Sequence, residues 1–356
     1  MKTLEDQLTA GALELPNRVV MAPMTRNRAD ADGVPTALMV EYYARRASAG
    51  LIITEGVRIN PVGHGPIGQA GLHTPAQVAG WRRVTEAVHR AGGRIVAQLA
   101  HHGRIAHPSL LPAGARPVGP SAVAAVGDAR TAAGLLPTVL PSAMSAPEIA
   151  DTLDDFGAAA AAALEAGFDG VELQGGNGYL IQQFLSDSAN LRQDAYGGAP
   201  VDRIRFALAA VRAAVRAVGP GRVGLRLSPG SGYNDILERD PATLYGLLAD
   251  QLNREPLAYL HLIEDPDASL ARLLRARYTG RLLLNPFTGD EPTDPATAQH
   301  RLREGSADAI SFARLFAANP DLPERIRQGL PLSAPDPDTF HEGGALGYTE
   351  LGVPAV

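Results

Sequence analysis

Eight short apolar runs alternate with eight helical patterns along this chain, and no other feature constrains its fold as tightly. Strands are read at Arg18–Met21, Leu51–Glu55, Arg94–Leu99 and Gly170–Leu173. Four more follow at Val223–Leu227, Tyr259–Leu262, Arg281–Leu284 and Ala309–Phe312. Most are continuous apolar runs, as expected of parallel strands covered on both faces. Helices are read near Thr36–Ser48, Pro75–Ala91, Ala146–Ala166, Val201–Val218, Asp240–Leu252, Ala268–Arg275, Thr293–Glu304 and Asp321–Arg327. Thr74 and Ser145 stand as N-caps, each with a proline in the first turn after it.

Strict βα alternation without a second domain predicts a single α/β (β/α)8 TIM barrel over residues 1–356, with a doubly wound open sheet as runner-up. Residues 1–17, with most of LTAGALELPNR (Leu8–Arg18), read as an N-terminal hairpin capping the barrel bottom, and residues 328–356 read as a C-terminal tail. Gly56–His73, Ala100–Ser142 and Leu185–Ala199 are too long for simple turns. Long βα loops shape the catalytic face of such barrels.

Composition narrows the function. A hydrophobic content of 45% supports a full core, and a net charge of −6 without a basic cluster argues against nucleic acid or an anionic membrane as partner. The absence of cysteine removes disulfides, thiolate nucleophiles and Cys-ligated metals. The N-terminus has no apolar signal-peptide core, and no apolar run approaches ~18 residues, so a cytoplasmic protein is expected. GHGPIG (Gly63–Gly68) matches a dinucleotide fingerprint in letters only, since it neither closes a strand nor opens a helix and contains Pro66. His101 and His102 are neighbours rather than an i, i+4 pair, so no metal is expected.

In a barrel, the C-terminal strand ends converge on one pocket. Here they carry Thr25, Gln98, Gln174, Asn177 and Arg226. Arg226 lies within an apolar strand, where an arginine needs a partner or a ligand; Glu172 and Glu55 are the candidate ion pairs.

Several stretches, in order and over nearly the whole length, carry a resemblance. They are LPNRVVMAPMTRNRA, YYARRASAGLIITEG, QVAGWRRVTEAVHRAGGRIVAQLAHHGR, GYLIQQFLSDSANLRQDAYGG, LRLSP, FARLFAANPDL and TFHEGGALGYTE. The chain resembles the old yellow enzyme family of FMN-dependent ene reductases. That resemblance implies cofactor-binding roles for Thr25, Gly56, Gln98, Arg226 and Arg314. It sets Thr25 against the flavin ring, Gln98 at its pyrimidine edge and Arg226 at N1/O2, where a cation favours the reduced flavin. It further implies that Gln174 and Asn177 bind a substrate carbonyl and that Tyr179 gives a proton to Cα.

The chain also departs from the family. Gln174 replaces a histidine, and Ala100 replaces a tryptophan. Pro66 and His341 stand where tyrosines often frame the substrate. Ala100, Pro66 and His341 predict a roomier, less aromatic substrate pocket, whose lining is expected to include His101, Tyr233 and Phe287 as well. At the phosphate loops Pro286 has no N–H, Phe287 stands in place of Gly or Asn, Ala313 replaces a glycine and Leu315 a proline. Each lost hydrogen bond to a charged group costs roughly 1.5–3 kcal/mol. These departures point to weakened or lost FMN binding and a redox-neutral isomerisation, cyclisation or rearrangement of an unsaturated carbonyl or polyene. The alternative is an FMN-dependent NAD(P)H ene reductase of α,β-unsaturated carbonyls, and a non-catalytic binding protein is the third reading. A small unsaturated molecule is the expected partner, and a homo-oligomer is compatible with each reading.

Overall fold

Eight parallel strands hydrogen-bond in sequence order and close on themselves. In the computed structural model, which describes residues 2–341 and 343–351, they are β1 Val19–Met21, β2 Leu51–Arg58, β3 Ile95–Ala100 and β4 Gly170–Gly175. β5 Val223–Leu227, β6 Tyr259–Ile263, β7 Leu282–Asn285 and β8 Ala309–Phe312 complete the ring. The fold is the (β/α)8 barrel that the alternation predicts, and the open sheet is excluded by the pairing of β8 with β1 and of β3 with β4.

Local chemistry explains the helix starts. Thr74 and Gln77 form a reciprocal capping box at Pro75–Arg90, and Ser145 and Glu148 form another at Ala146–Glu165. Asp240 and Asp294 cap the helices Pro241–Leu252 and Pro295–Arg303. The helix expected over Val201–Val218 is divided into Pro200–Arg203 and Arg205–Val218.

Inside the ring, alternate residues stack in layers. The strands Leu8–Ala10 and Leu13–Leu15 pair antiparallel, and their leucines cluster with Val20, Ile53, Val96, Tyr259 and Leu283. Gly11 at φ 60° permits the tight turn between them, and a Cβ there would lie 2.5 Å from the Gly221 carbonyl oxygen. The barrel bottom is therefore apolar and filled. The outer core lies between the strands and the helices, with Trp81, Phe156, Phe184 and Phe206 fully buried in it.

Two departures from expectation lie near the barrel mouth. β2 continues to Arg58 rather than ending at Glu55, and its register against β3 shifts between Ile53 and Gly56. That bulge sets Gly56 opposite Gln98, and the Gln98 N–H donates to Thr54 Oγ1 at 3.0 Å. The loop after β3 also has structure of its own. Val118–Gly119 pairs with Ser142–Ala143, and Asp128–Thr131 forms a hairpin with Gly134–Pro137.

The segment after the helix Leu322–Gln328 returns to the barrel mouth. Arg26 donates to the Phe340 and Gly347 carbonyls at 2.8 Å, and Tyr42 stacks on Tyr348 at 4.0 Å. Part of the expected tail, Glu342 and residues 352–356, lies outside the described residues.

Candidate active site

Above the apolar plug, the next inward residues of the strands are polar and linked. Gln98 Nε2 donates to Glu172 Oε1 at 2.7 Å, and His261 Nδ1 lies 2.9 Å from Glu172 Oε2. His261 Nε2 lies 2.8 Å from Ser311 Oγ, so the chain of contacts crosses the barrel from β3 to β8. Burial would raise the Glu172 pKa, but His261, Arg226 and Gln98 outweigh it and hold the carboxyl below its ordinary value. Burial lowers the His261 pKa, with Glu172 opposing.

One step nearer the mouth, Gln174 and Arg226 stand opposite each other on β4 and β5. Arg226 is 4% exposed. Its Nη2 reaches Asn285 Oδ1 only at 3.4 Å, and its Nε has no hydrogen-bond partner among the described residues. Glu172 contributes a favourable charge but no hydrogen bond, so the guanidinium is poised for an acceptor in the cavity.

That cavity has a narrow foot and a wide mouth. The foot, about 40 Å³, is bounded by Gln98, Gln174, Arg226, Gly56, Ala100 and Pro66. Thr25, Asn177 and Tyr179 border both the foot and a larger opening of about 950 Å³. Tyr233, Arg314, Phe340 and His341 line the larger space. The Gly176 N–H donates to Gln174 Oε1 at 3.3 Å, which leaves the amide nitrogen of Gln174 as its cavity-facing donor. Asn177 takes φ 56°, secured by its N–H on Ser228 Oγ and its carbonyl on Asn234 Nδ2, both at 2.8 Å. Tyr179 has its pKa raised by burial and by the neighbouring Tyr233, with Arg226 opposing, so the phenol is protonated at neutral pH.

Two expected pocket residues are placed elsewhere. His101 is buried behind the cavity, where its Nδ1 accepts the Gly103 N–H at 3.0 Å; His102 borders the foot instead. Two adjacent histidines in a turn cannot both face inward, and the sequence does not say which does. The Phe287 side chain is 47% exposed and points away from the pocket, since its N–H is drawn back to Glu264 Oε2 at 3.0 Å. Sequence reasoning also missed Gln69, whose amide bridges the Gly56 carbonyl and the Gly65 N–H at 2.8 Å and fixes the loop carrying Pro66. The capture of this loop by a glutamine has no periodic signal in sequence.

The groups around the foot suit one edge of a flavin ring whose bulk would lie in the wider opening: they include a buried cation lacking a partner at Nε, the Gln98 side-chain amide oxygen left over from the Nε2 bond to Glu172, and Thr25 at the edge. The phosphate end fits less well. Pro286 has no N–H, the Phe287 N–H is taken by Glu264, and Arg314 donates to the carbonyls of Asp290 and Glu291. Among the described residues no group of three or more His, Cys, Asp or Glu could hold a metal, and no helix is long and apolar enough to cross a membrane.

The profile of the NADH:flavin oxidoreductase / NADH oxidase family matches residues 6–333. The chain is 42% identical over 354 residues to a probable flavin mononucleotide-dependent alkene reductase of Leishmania infantum, covering 96% of this chain and 95% of that protein. It is 40% identical over 368 residues to a chanoclavine-I aldehyde reductase of Penicillium roqueforti, covering 100% and 97%. Its fold is similar to that of morphinone reductase in complex with tetrahydroNAD, at TM-score 0.93 and 43% identity over 99% and 98% of the two chains. The old yellow enzyme homologue from Zymomonas mobilis gives TM-score 0.94 and 39% identity over 99% and 100%.

Proposed function

The chain belongs to the NADH:flavin oxidoreductase / NADH oxidase family, the old yellow enzyme group, and from that membership we propose a flavin-dependent, NAD(P)H-driven reductase of α,β-unsaturated carbonyl compounds. These relatives are reductases, so they back this reading over the redox-neutral isomerase or cyclase that the altered loops suggested. The observation that carries it is the meeting of Gln174, Asn177 and Tyr179 with Arg226 around one narrow foot.

Bound flavin would supply the hydride that reaches the substrate Cβ. The Gln174 amide nitrogen, oriented by the Gly176 bond, and the Asn177 side chain hold the substrate carbonyl and draw electron density from the alkene. Tyr179 gives its phenolic proton to Cα. Arg226 keeps a positive charge at the floor, where negative charge accumulates. The mouth of about 950 Å³, lined by Tyr233, Phe340 and His341, leaves room for a substrate larger than a simple cyclic enone.

The test is NADPH or NADH oxidation by flavin-loaded protein with a bulky cyclic enone, with product analysis for the saturated ketone. One saturated product per nicotinamide oxidised is expected. Isomerised enone without nicotinamide consumption would overturn the proposal.

A further inference from the structure

The cavity's two ends are unequally equipped for flavin. At the foot, Arg226 is buried with an unmet Nε donor, and Gln98 has a carbonyl oxygen left over. At the far end, the loops after β7 and β8 occupy the place where barrels of this kind commonly seat a phosphate.

Phosphate binding there requires backbone N–H groups or cations with capacity to spare. Pro286 supplies no N–H. The Phe287 N–H points to the buried Glu264 carboxylate, which Arg301 Nη2 also holds at 3.1 Å. Drawing that amide toward a phosphate would take one of two donors from a buried anion and leave it to Arg301 alone. Arg314 borders the cavity but spends its Nη1 on the Asp290 and Glu291 carbonyls, and both acidic residues border the cavity beside it. A dianion entering here meets one position without an N–H, one amide already taken, an arginine partly committed through Nη1, and two acidic side chains beside it.

We propose that this chain binds flavin through the ring and draws little affinity from the phosphate, so that riboflavin and FMN serve it nearly equally. The inference rests on the flavin-dependent reading above. Ring recognition and phosphate recognition are physically separate here, because they depend on different strands: the ends of β1 to β5 for the ring, the loops after β7 and β8 for the phosphate.

The experiment is titration of the full chain, stripped of flavin, with riboflavin and with FMN, followed by quenching of flavin fluorescence. One charge-assisted hydrogen bond is worth about tenfold or more in affinity. Dissociation constants within about tenfold of each other are therefore expected. FMN bound more than about tenfold tighter overturns this inference and leaves the proposed function standing, whereas binding of neither flavin overturns both. A second reading needs no variant: raising salt should weaken FMN no more than riboflavin, and a steeper dependence for FMN overturns the inference. Pro286→Gly with Phe287→Gly should tighten FMN about tenfold without changing riboflavin. An equal change for both flavins, or none, would show that these loops do not set the selectivity.

Discussion

The Tyr179 ring lies 4.3 Å from the His102 imidazole, centroid to centroid, at an interplanar angle of 56°. Both rings are secured from behind. His102 Nδ1 is 3.0 Å from the Gly63 carbonyl oxygen, and Gln183 Nε2 donates to the His102 and Gly178 carbonyls at 2.9 and 2.8 Å. Tyr179 caps the short helix Leu180–Leu185 that carries Gln183, so one glutamine ties the loop of the phenol to the loop of the imidazole. Burial holds His102 near a pKa of about 4, and it packs on the phenol as a neutral ring.

Tyr179→Phe removes the proposed acid without changing the ring contact. Enone turnover should fall about 10²–10⁴-fold, with nicotinamide-driven flavin reduction unchanged. Stopped-flow measurement of the two half-reactions separates them. Equal turnover by the variant would exclude Tyr179 as the proton donor.

Arg226→Met should weaken flavin binding about ten- to a hundredfold, since it deletes a charge-assisted contact. Its effect on thermal stability should be smaller than that of Glu172→Ala, because Arg226 makes only a long 3.4 Å bond within the protein. Flavin titration and melting curves on the same preparation check both parts. Unchanged flavin affinity would remove Arg226 from the ring site.

Glu172→Ala leaves Gln98 Nε2 and His261 Nδ1 facing each other without an acceptor. A loss of about 3–5 kcal/mol in urea unfolding is expected. Glu172→Gln should recover part of it, because its amide oxygen can still accept one of the two bonds. A loss below about 1 kcal/mol for Glu172→Ala would show that the network contributes little.

Stability should fall on mild acidification. Burial lowers the His101 pKa to about 3 and the His102 pKa to about 4, from 6.5 in the unfolded chain. Below pH 6.5 the unfolded chain takes up protons that the native state refuses, so stability is full above that pH and is lost as pH falls toward the native values. The slope is at most about 1.4 kcal/mol per pH unit for each histidine. Melting temperatures between pH 7.5 and 5 should decline, and His101→Gln should flatten the decline. An identical slope in that variant would show that His101 does not titrate on unfolding.

Much of the candidate site was legible because barrel geometry converts sequence position into spatial position. Gln98, Gln174 and Arg226 each lie near the C-terminal end of an apolar run, and parallel register then sets Gln174 level with Arg226 and Gln98 one layer below, level with Glu172. His101 and Phe287 were misplaced because each belongs to a loop whose path is set by contacts distant in sequence: the Leu180 N–H on the His101 carbonyl at 2.9 Å, and the Phe287 N–H on Glu264. No local pattern encodes either partner.

By itself the sequence determined the barrel, its strand order and the capped starts of its helices, since these follow from hydrophobic runs and from short-range capping chemistry. The tertiary structure decided the β2 bulge that sets Gly56 against Gln98, the inward turn of His102, and the return of Phe340 and His341 to the mouth under Arg26. It also decided which phosphate-end donors are already spent on Glu264 and on the β7 loop carbonyls. Those outcomes depend on buried polar groups finding partners across the fold, and the choice of partner is made only when the closed barrel brings them within hydrogen-bonding distance.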